Sequence, residues 1–269
     1  MTPSIDNSAE LAENADVPCA PGPIPLDPKV KLPMANGYLA CMGAAILLNL
    51  LSSFQQVFYP QMFVLHILIL VPLGLLGVGI LIFKVLFELR AWSAIPEAER
   101  KMDPILAVVL LFVPFFNLYW QFRAIRGLSI RTDEALARRG LREIAPVNLG
   151  TLYCIYTIAM LCVGMLGGVY LVISILSKMN FKGGGPPPNM GQIPEVANFI
   201  LIAGIFSAPM QLVQGLWIEY QCRATHTLYG ATENPTTVLP RMMILLSTIA
   251  FFFFSLLFLL MHHSGPAGS

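Results

Sequence analysis

Six long apolar stretches, separated by polar linkers, dominate the chain from residue 38 onward. Each is close to the roughly 20 helical residues that cross a bilayer core. None shows the period-2 alternation of a membrane β-strand, and helices satisfy every backbone amide internally. The pattern predicts an all-α polytopic integral membrane protein with five or six embedded helices and a kinked or re-entrant third segment. The predicted segments are residues 38–58, 62–83, 105–122, 149–176, 196–219 and 242–261.

The polar ends of the chain set the predicted domain limits. Residues 1–35 contain Ser, Asn, Asp, Glu and seven prolines, and such a segment buries too little apolar surface to offset its ordering entropy. We therefore expect a disordered Pro-rich tail over residues 1–35. The helical membrane domain then covers residues 36–262, and residues 263–269 form a short C-terminal tail.

Composition indicates a lipid environment. Apolar residues make up 56% of the chain and charged residues 12%, about half of the roughly 25% usual in soluble domains. Mean hydropathy is +0.70. The net charge of +1 provides no overall field to steer a charged partner. These values argue against a soluble enzyme, a nucleic-acid partner and a disordered chain, and they predict the lipid bilayer as the main partner.

The distribution of positive charge depends on whether the third segment crosses the membrane. Cytoplasmic loops carry an excess of Lys and Arg, so the sixteen such residues test each topology. If all six segments cross, eight lie on each side and neither orientation is favoured. If residues 105–122 enter and leave on one face, fourteen lie on one side and two on the other. Only this second topology concentrates the positive charge on one side of the membrane, as the rule expects.

The third segment contains a break near its middle. Pro114 lacks a backbone donor and disfavours a helical conformation at Val113. Asn117 can satisfy a freed backbone group with its own side chain. Two structures fit: a re-entrant or sharply kinked element, and a plain kinked span, because proline is tolerated in membrane helices. Pro114, Asn117 and Trp120 are therefore candidate residues of a functional break.

Residues 111–122, LFVPFFNLYWQF, and the basic RAIRGL that follows resemble a segment of uncharacterised bacterial multi-pass inner-membrane proteins. In those proteins a P-F-F-N-x-Y-W-x-F stretch closes an apolar run and precedes a short cytoplasmic helix. Some of them carry a small GYF-like module ahead of the membrane part, where this chain has its Pro-rich tail. The resemblance covers residues 104–165. It implies an architecture and a bacterial inner-membrane location, and no chemistry.

Uncharged polar residues recur inside two apolar segments. Asn49, Ser52 and Gln56 fall on one helical stripe of the first segment, and Gln211 and Gln214 lie in the fifth. This candidate polar stripe either bonds neighbouring helices or lines a cavity. Interhelical hydrogen bonds are common in membrane proteins and are worth only about 0.6 to 2 kcal/mol each.

Few ionisable side chains fall inside the apolar stretches. His66 lies about one turn into the second segment and could relay protons, since the ordinary pKa of histidine is about 6.5. Alternatively, His66 lies near the interface and bonds a neighbouring helix. The pairs Lys84–Glu88 and Glu219–Arg223 are spaced i, i+4, and we expect both to lie at the membrane interface with their charged ends in water.

Small and basic residues indicate two kinds of contact. Gly164 and Gly168 form a GxxxG pair suited to helix packing within or between protomers. The linker after the third segment carries six arginines and is either an interfacial helix on anionic headgroups or only a loop that sets topology. The candidate lipid-headgroup contacts are Arg123, Arg126, Arg138 and Arg139.

Motifs for catalysis are missing from the sequence. It contains no HExxH, GxSxG, P-loop or GxGxxG motif. The adjacent His262 and His263 are poorly placed to converge on a metal. We therefore predict no enzymatic activity, no catalytic residue, no metal site and no cofactor.

Two functions remain. The leading interpretation is a structural or interaction component of a bacterial inner membrane, packing as a homo-oligomer or with other membrane proteins. The alternative is a small-solute permease or channel-like transporter. A permease predicts a cavity reached by both the break and the polar stripe. A structural component predicts those polar groups bonded to neighbouring helices.

Overall fold

The computed structural model describes residues 21–28, 30–58, 63–113, 116–142, 145–178, 194–231 and 239–263. These residues form α-helices and no β-strand, so the predicted all-α class is confirmed. A 3₁₀ turn, Leu110–Phe112, follows the third helix, and a π-helical turn, Phe122–Arg126, joins the fourth to the fifth. The helices are α1 (Asn36–Phe58), α2 (Phe63–Ser93), α3 (Pro104–Val109), α4 (Phe116–Gln121), α5 (Gly127–Arg138), α6 (Val147–Lys178), α7 (Pro194–Leu228) and α8 (Leu239–His263).

Three helices contain stretches long and apolar enough to cross a membrane. These are Asn36–Gln55 of α1, Val71–Ser93 of α2 and Val147–Ser174 of α6, with mean hydropathies of 1.6, 2.0 and 2.1. Arg241–Leu257 of α8 is apolar but shorter. The chain therefore fits an integral membrane protein.

Aromatic rings form the centre of the packed core. The Trp217 ring of α7 stacks on Tyr153 of α6, with centroids 5.8 Å apart, and meets the edge of Phe87 of α2 at 5.9 Å. All three side chains are buried. Gly150 permits the close approach of α6, because a Cβ there would lie 3.0 Å from Trp217 Nε1.

A buried polar network joins α5 to α7 beside this core. Trp217 Nε1 donates to Ser129 Oγ at 3.0 Å, and Ser129 Oγ donates to Gln221 Oε1 at 3.1 Å. Gln221 Nε2 donates to Thr132 Oγ1 at 2.7 Å. Each polar side chain is at most 1% exposed, and each is hydrogen-bonded, as buried polar groups require.

Residues from the predicted N-terminal tail contact the end of α7. Ile24 N donates to Leu228 O at 2.8 Å. Pro33 O accepts from Cys222 Sγ at 3.2 Å and lies 3.0 Å from His226 Nε2. Residues 1–20 of the predicted tail lie outside the described residues.

The linkers before and after the third apolar segment also meet. The Arg139 guanidinium forms two hydrogen bonds with the Glu99 carboxylate, at 2.5 and 3.1 Å. Tyr229 OH, just beyond α7, donates to Ala94 O, just beyond α2. The ends of α2, α5 and α7 and the N-terminal segment thus form one layer of contacts, which we call the basal layer (the described residues within 21–35, 94–102, 127–145 and 219–231).

Candidate functional site

The third apolar segment is not one continuous helix. Asp103 is the N-cap of α3, since its Oδ1 accepts hydrogen bonds from Ile105 N at 2.8 Å and Leu106 N at 3.0 Å. Further along, Trp120 Nε1 donates to Ala107 O at 2.9 Å. Thirteen residues of straight α-helix would separate these positions by about 20 Å. The two ends of the segment therefore lie side by side.

The residues of the predicted break have different environments. Trp120 is buried, and its ring stacks on that of Phe116 with centroids 5.4 Å apart. Asn117 Oδ1 is buried and has no hydrogen-bond partner among the described residues. Pro114 lies outside the described residues.

A cavity of about 370 Å³ lies between α1, α6, α7 and α8. Its polar lining comes from Asn49 and Ser53 of α1 and from Ser207 and Gln211 of α7. The remaining lining is apolar and includes Ile46, Met160, Phe199, Ala203, Gly204, Ala208, Ala250 and Phe254. Volume and lining match those of small-molecule sites, which are mostly apolar with a few placed polar groups.

The predicted polar stripe is brought together in part. Asn49 and Gln211, 162 positions apart in the chain, line the same cavity. Ser52 and Gln214 are buried elsewhere in the helix packing. The side chain of Gln56 lies outside the described residues, as does that of His66.

Polar groups in the cavity are only partly engaged with protein. Ser53 Oγ donates to Asn49 O and Ser207 Oγ to Gly204 O, each within its own helix. In the part of the chain that the structure describes, the side-chain amides of Asn49 and Gln211 form no hydrogen bond. These two amides can therefore bond a solute. The break does not contribute, since neither Asn117 nor Trp120 lines the cavity.

Sequence reasoning identified Gln211 but missed the rest of the α7 wall of this cavity. Its lining positions are 199, 203, 204, 207, 208 and 211, which recur at helical spacing. The available signal was a run of small and polar residues, Ala203, Gly204, Ser207, Ala208 and Gln211, on one helical face. Such a face is equally typical of close helix packing, and so it did not single out a cavity.

A buried charged pair lies nearer the basal layer. Lys84 Nζ is 3.9 Å from Glu88 Oε1 and 5.4 Å from the centroid of the Tyr153 ring. The Glu88 side chain is only 3% exposed. The two i, i+4 pairs predicted from sequence both form, but Glu88 is buried in the helix packing instead of reaching the aqueous interface.

The second predicted pair lies at the end of α7. Arg223 Nη2 is 2.5 Å from Glu219 Oε1, and the side chain of Glu219 is 5% exposed. Arg223 also lies over the Tyr220 ring, 5.8 Å from its centroid. This pair lies in the basal layer, and the arginine remains partly exposed.

The candidate packing glycines, Gly164 and Gly168, do not contact the neighbouring described helices. A Cβ at Gly164 or Gly168 would meet no atom within 4 Å among the described contacts. By contrast, a Cβ at Gly167 would lie 2.0 Å from the Phe199 ring. Gly167 therefore packs α6 against α7, while no described residue covers the Gly164–Gly168 pair.

The candidate headgroup arginines divide into two groups. Arg123, Arg126 and Arg138 are exposed. Arg139 is engaged with Glu99, and its side chain is 9% exposed. Only the first three have guanidinium groups that are open to an outside ligand.

Burial perturbs two titratable groups in the basal layer. Burial raises the pKa of the Cys222 thiol to about 11. Burial also raises the pKa of Tyr229; the nearby Arg139 opposes this shift, and Glu99 and Asp27 add to it. Both groups are therefore neutral near pH 7. Cys222 is a buried structural thiol and lacks the lowered pKa of a reactive cysteine.

Among the described residues, no three His, Cys, Asp or Glu side chains converge as a metal site would require. Comparison with protein-family models, curated proteins and solved structures finds no match to this chain. The fold and site thus define the chain only as an all-helical protein fit for a membrane, with a solute-sized cavity between its helices.

Proposed function

We propose that this protein is an integral membrane protein that binds a small neutral solute within the membrane, as a small-solute permease does. The observation that carries the proposal is the cavity lined by Asn49 and Gln211, whose amides have no hydrogen-bond partner among the described residues. The lining described above contains no ionisable side chain, so a charged solute would lose its hydration without compensation. The solute is therefore neutral and mostly apolar, with one or two hydrogen-bonding groups.

We propose a topology of five spanning helices and one re-entrant segment. The Glu99–Arg139 contact supports it, because it holds the linkers on both sides of residues 105–122 together. The Tyr229–Ala94 contact also joins the end of α7 to the end of α2. In this topology α1, α2, α6, α7 and α8 cross the bilayer. Fourteen of the sixteen Lys and Arg residues then lie with the basal layer, which the positive-inside rule puts in the cytoplasm.

A second candidate function is a structural or interaction component that packs with itself or with other membrane proteins. The uncovered Gly164–Gly168 pair on α6 favours it, because small residues let a partner helix approach closely. In either case we propose no enzymatic activity. The bacterial inner-membrane location and the relationship to proteins with the P-F-F-N-x-Y-W-x-F segment also remain proposals.

The cavity can be tested with 1-aminoanthracene, a neutral fluorescent amphiphile, added to the purified full-length protein in detergent. Ala203→Phe fills the cavity, and Ala159→Phe adds the same ring at an exposed position of α6. We expect saturable fluorescence enhancement with the wild type and Ala159→Phe, and only the detergent background with Ala203→Phe. Equal enhancement in all three proteins would overturn solute binding at this site.

Transport is tested separately in proteoliposomes. Osmotic swelling in a gradient of 1,4-butanediol, a neutral solute with two hydroxyl groups, should be faster with the wild type and Ala159→Phe than with Ala203→Phe or empty liposomes. Saturable binding without any acceleration of swelling by the wild type would count against the permease and favour a binding protein without transport activity. A dimer that is disrupted by Gly164→Leu, with no probe binding, would favour the structural component.

A further inference from the structure

The helix that leaves the third apolar segment presents one exposed stripe that changes from apolar to basic. Phe116, Tyr119, Arg123 and Arg126 are exposed and spaced by three, four and three residues. The intervening Trp120, Gln121, Ala124 and Ile125 are buried. The stripe therefore faces away from the protein along its whole length.

Contacts with α6 show where the two arginines lie along the length of that helix. Cys154 Sγ donates to Gln121 O at 3.5 Å, and Ser129 Oγ is 3.3 Å from the position of a Cβ on Gly150. Arg123 and Arg126 lie between Gln121 and Ser129, and hence beside residues 150–154 of α6.

At this position the exposed residues of α6 change from the polar Asn148 to the apolar Leu152 and Ile155. This change marks the boundary between headgroups and hydrocarbon.

Beyond this boundary, α3 and α4 lie side by side as a hairpin whose described surface is apolar. Six of its apolar side chains are at least 40% exposed: Ile105, Leu106, Val109, Phe112, Val113 and Phe116. An apolar surface of this kind at membrane depth is covered by lipid. Tyr119, 58% exposed, lies between this surface and the arginines, where the amphipathic tyrosine ring is favoured at membrane interfaces.

Charge pairing distinguishes the two arginines from others in the same linker. Arg131 pairs with Glu134 and Arg139 with Glu99. Arg123 and Arg126 form no ion pair in the described part of the chain. Both arginines lie in the π-helical turn Phe122–Arg126 and are exposed. Their long side chains can converge on one phosphate, which guanidinium groups match in geometry.

We propose that Arg123 and Arg126 bind the phosphate of an anionic lipid at the neck of a hairpin that enters one leaflet only. The site takes a lipid and not a free phosphate, because its apolar continuation through Tyr119 and Phe116 faces the acyl chains. Arg138 and Arg142 are also exposed, but they lie at the end of α5, away from the hairpin. They provide the matched control.

The test is a lipid titration of the full-length protein, followed by native mass spectrometry, with phosphatidylglycerol or phosphatidylcholine. Each arginine near an anionic surface contributes about fivefold in affinity. We therefore expect Arg123→Gln/Arg126→Gln to weaken phosphatidylglycerol binding about 25-fold and Arg138→Gln/Arg142→Gln to leave it within about twofold. Arg123→Lys/Arg126→Lys should retain most of the preference. Equal binding of the two lipids by the wild type, or equal effects of the two Gln pairs, would overturn the proposal.

Two further measurements keep the test independent of folding. Inorganic phosphate at millimolar concentration should not displace phosphatidylglycerol; displacement would identify a free-phosphate site and overturn the lipid assignment. A bimane label on Tyr119→Cys in proteoliposomes should be quenched by acyl-chain-brominated lipid, whereas the same label on Arg138→Cys should not. An unquenched label at position 119 would contradict insertion of the hairpin.

Discussion

Arg139 and Glu99 form a two-point ion pair across forty residues of sequence, with both side chains only 9% exposed. The pair holds the linker that follows α2 against the end of α5. Breaking a buried pair by removing one partner costs about 3–5 kcal/mol, whereas an exposed pair contributes about 0–1 kcal/mol.

Arg139→Gln should therefore lower the free energy of unfolding in detergent by about 3–5 kcal/mol. Arg131→Gln is the matched control, because Arg131 pairs with Glu134 at a more exposed position, 24% and 41%. Its effect should stay within about 1 kcal/mol. Similar losses in the two variants would show that the Glu99–Arg139 pair has no special role in the basal layer.

Ser129→Ala should destabilise the protein through the polar network. The substitution removes the acceptor of Trp217 Nε1 and the donor to Gln221 Oε1, and both remaining groups are fully buried. An unsatisfied buried polar group costs about 1–3 kcal/mol, which chemical denaturation can measure. Ser207→Ala is the control, since that hydroxyl bonds only its own helix and should matter less. A larger loss from the control would refute this role of the network.

Lys84 and Glu88 should behave as a coupled pair. Lys84→Met leaves the buried Glu88 carboxylate without its cation, which should cost about 3–5 kcal/mol. Lys84→Met/Glu88→Leu removes both charges and should be more stable than Lys84→Met alone, because an apolar pair needs no compensation for lost hydration. Unfolding of the four proteins of the double-mutant cycle measures the coupling. Strictly additive losses would mean that the two charges do not interact.

Stability should fall at high pH through Tyr229. Its pKa is raised by burial, so the folded state favours the neutral phenol that donates to Ala94 O. This contribution is complete below the ordinary tyrosine pKa of about 10 and is lost as pH rises through the raised value. Melting temperatures between pH 8 and pH 11 should fall more in the wild type than in Tyr229→Phe. Parallel curves would exclude Tyr229 as the source of the pH dependence.

Local patterns predicted more of the helices than of the contacts between them. The apolar runs at 38–58 and 149–176 nearly match α1 and α6, because length and apolarity alone define a helix in lipid. The run at 62–83 identifies α2 but misses its end, since α2 continues to Ser93 and its apolar span is Val71–Ser93. The same runs do not encode the neighbours of each helix. Asn49 and Gln211 were identified as polar residues, yet their shared cavity depends on the packing of four helices.

The long-range contacts of the basal layer had no local signal. Ser129 and Gln221 are 92 positions apart, and each alone resembles an ordinary polar residue of a helix end. Likewise, the prolines of the N-terminal segment indicate poor packing, whereas Ile24 and Pro33 contact α7. Such contacts depend on tertiary complementarity, which a single sequence read by composition and period does not contain.

The contact between Ile24 and Leu228 has a consequence for biosynthesis. Residue 24 leaves the ribosome about two hundred residues before its partner does. The N-terminal segment therefore lacks this contact until the residues up to Leu228 have been synthesised. The Ile24–Leu228 contact can form only after α7 has been translated. In a truncated nascent chain the N-terminal segment would therefore stay accessible to proteases.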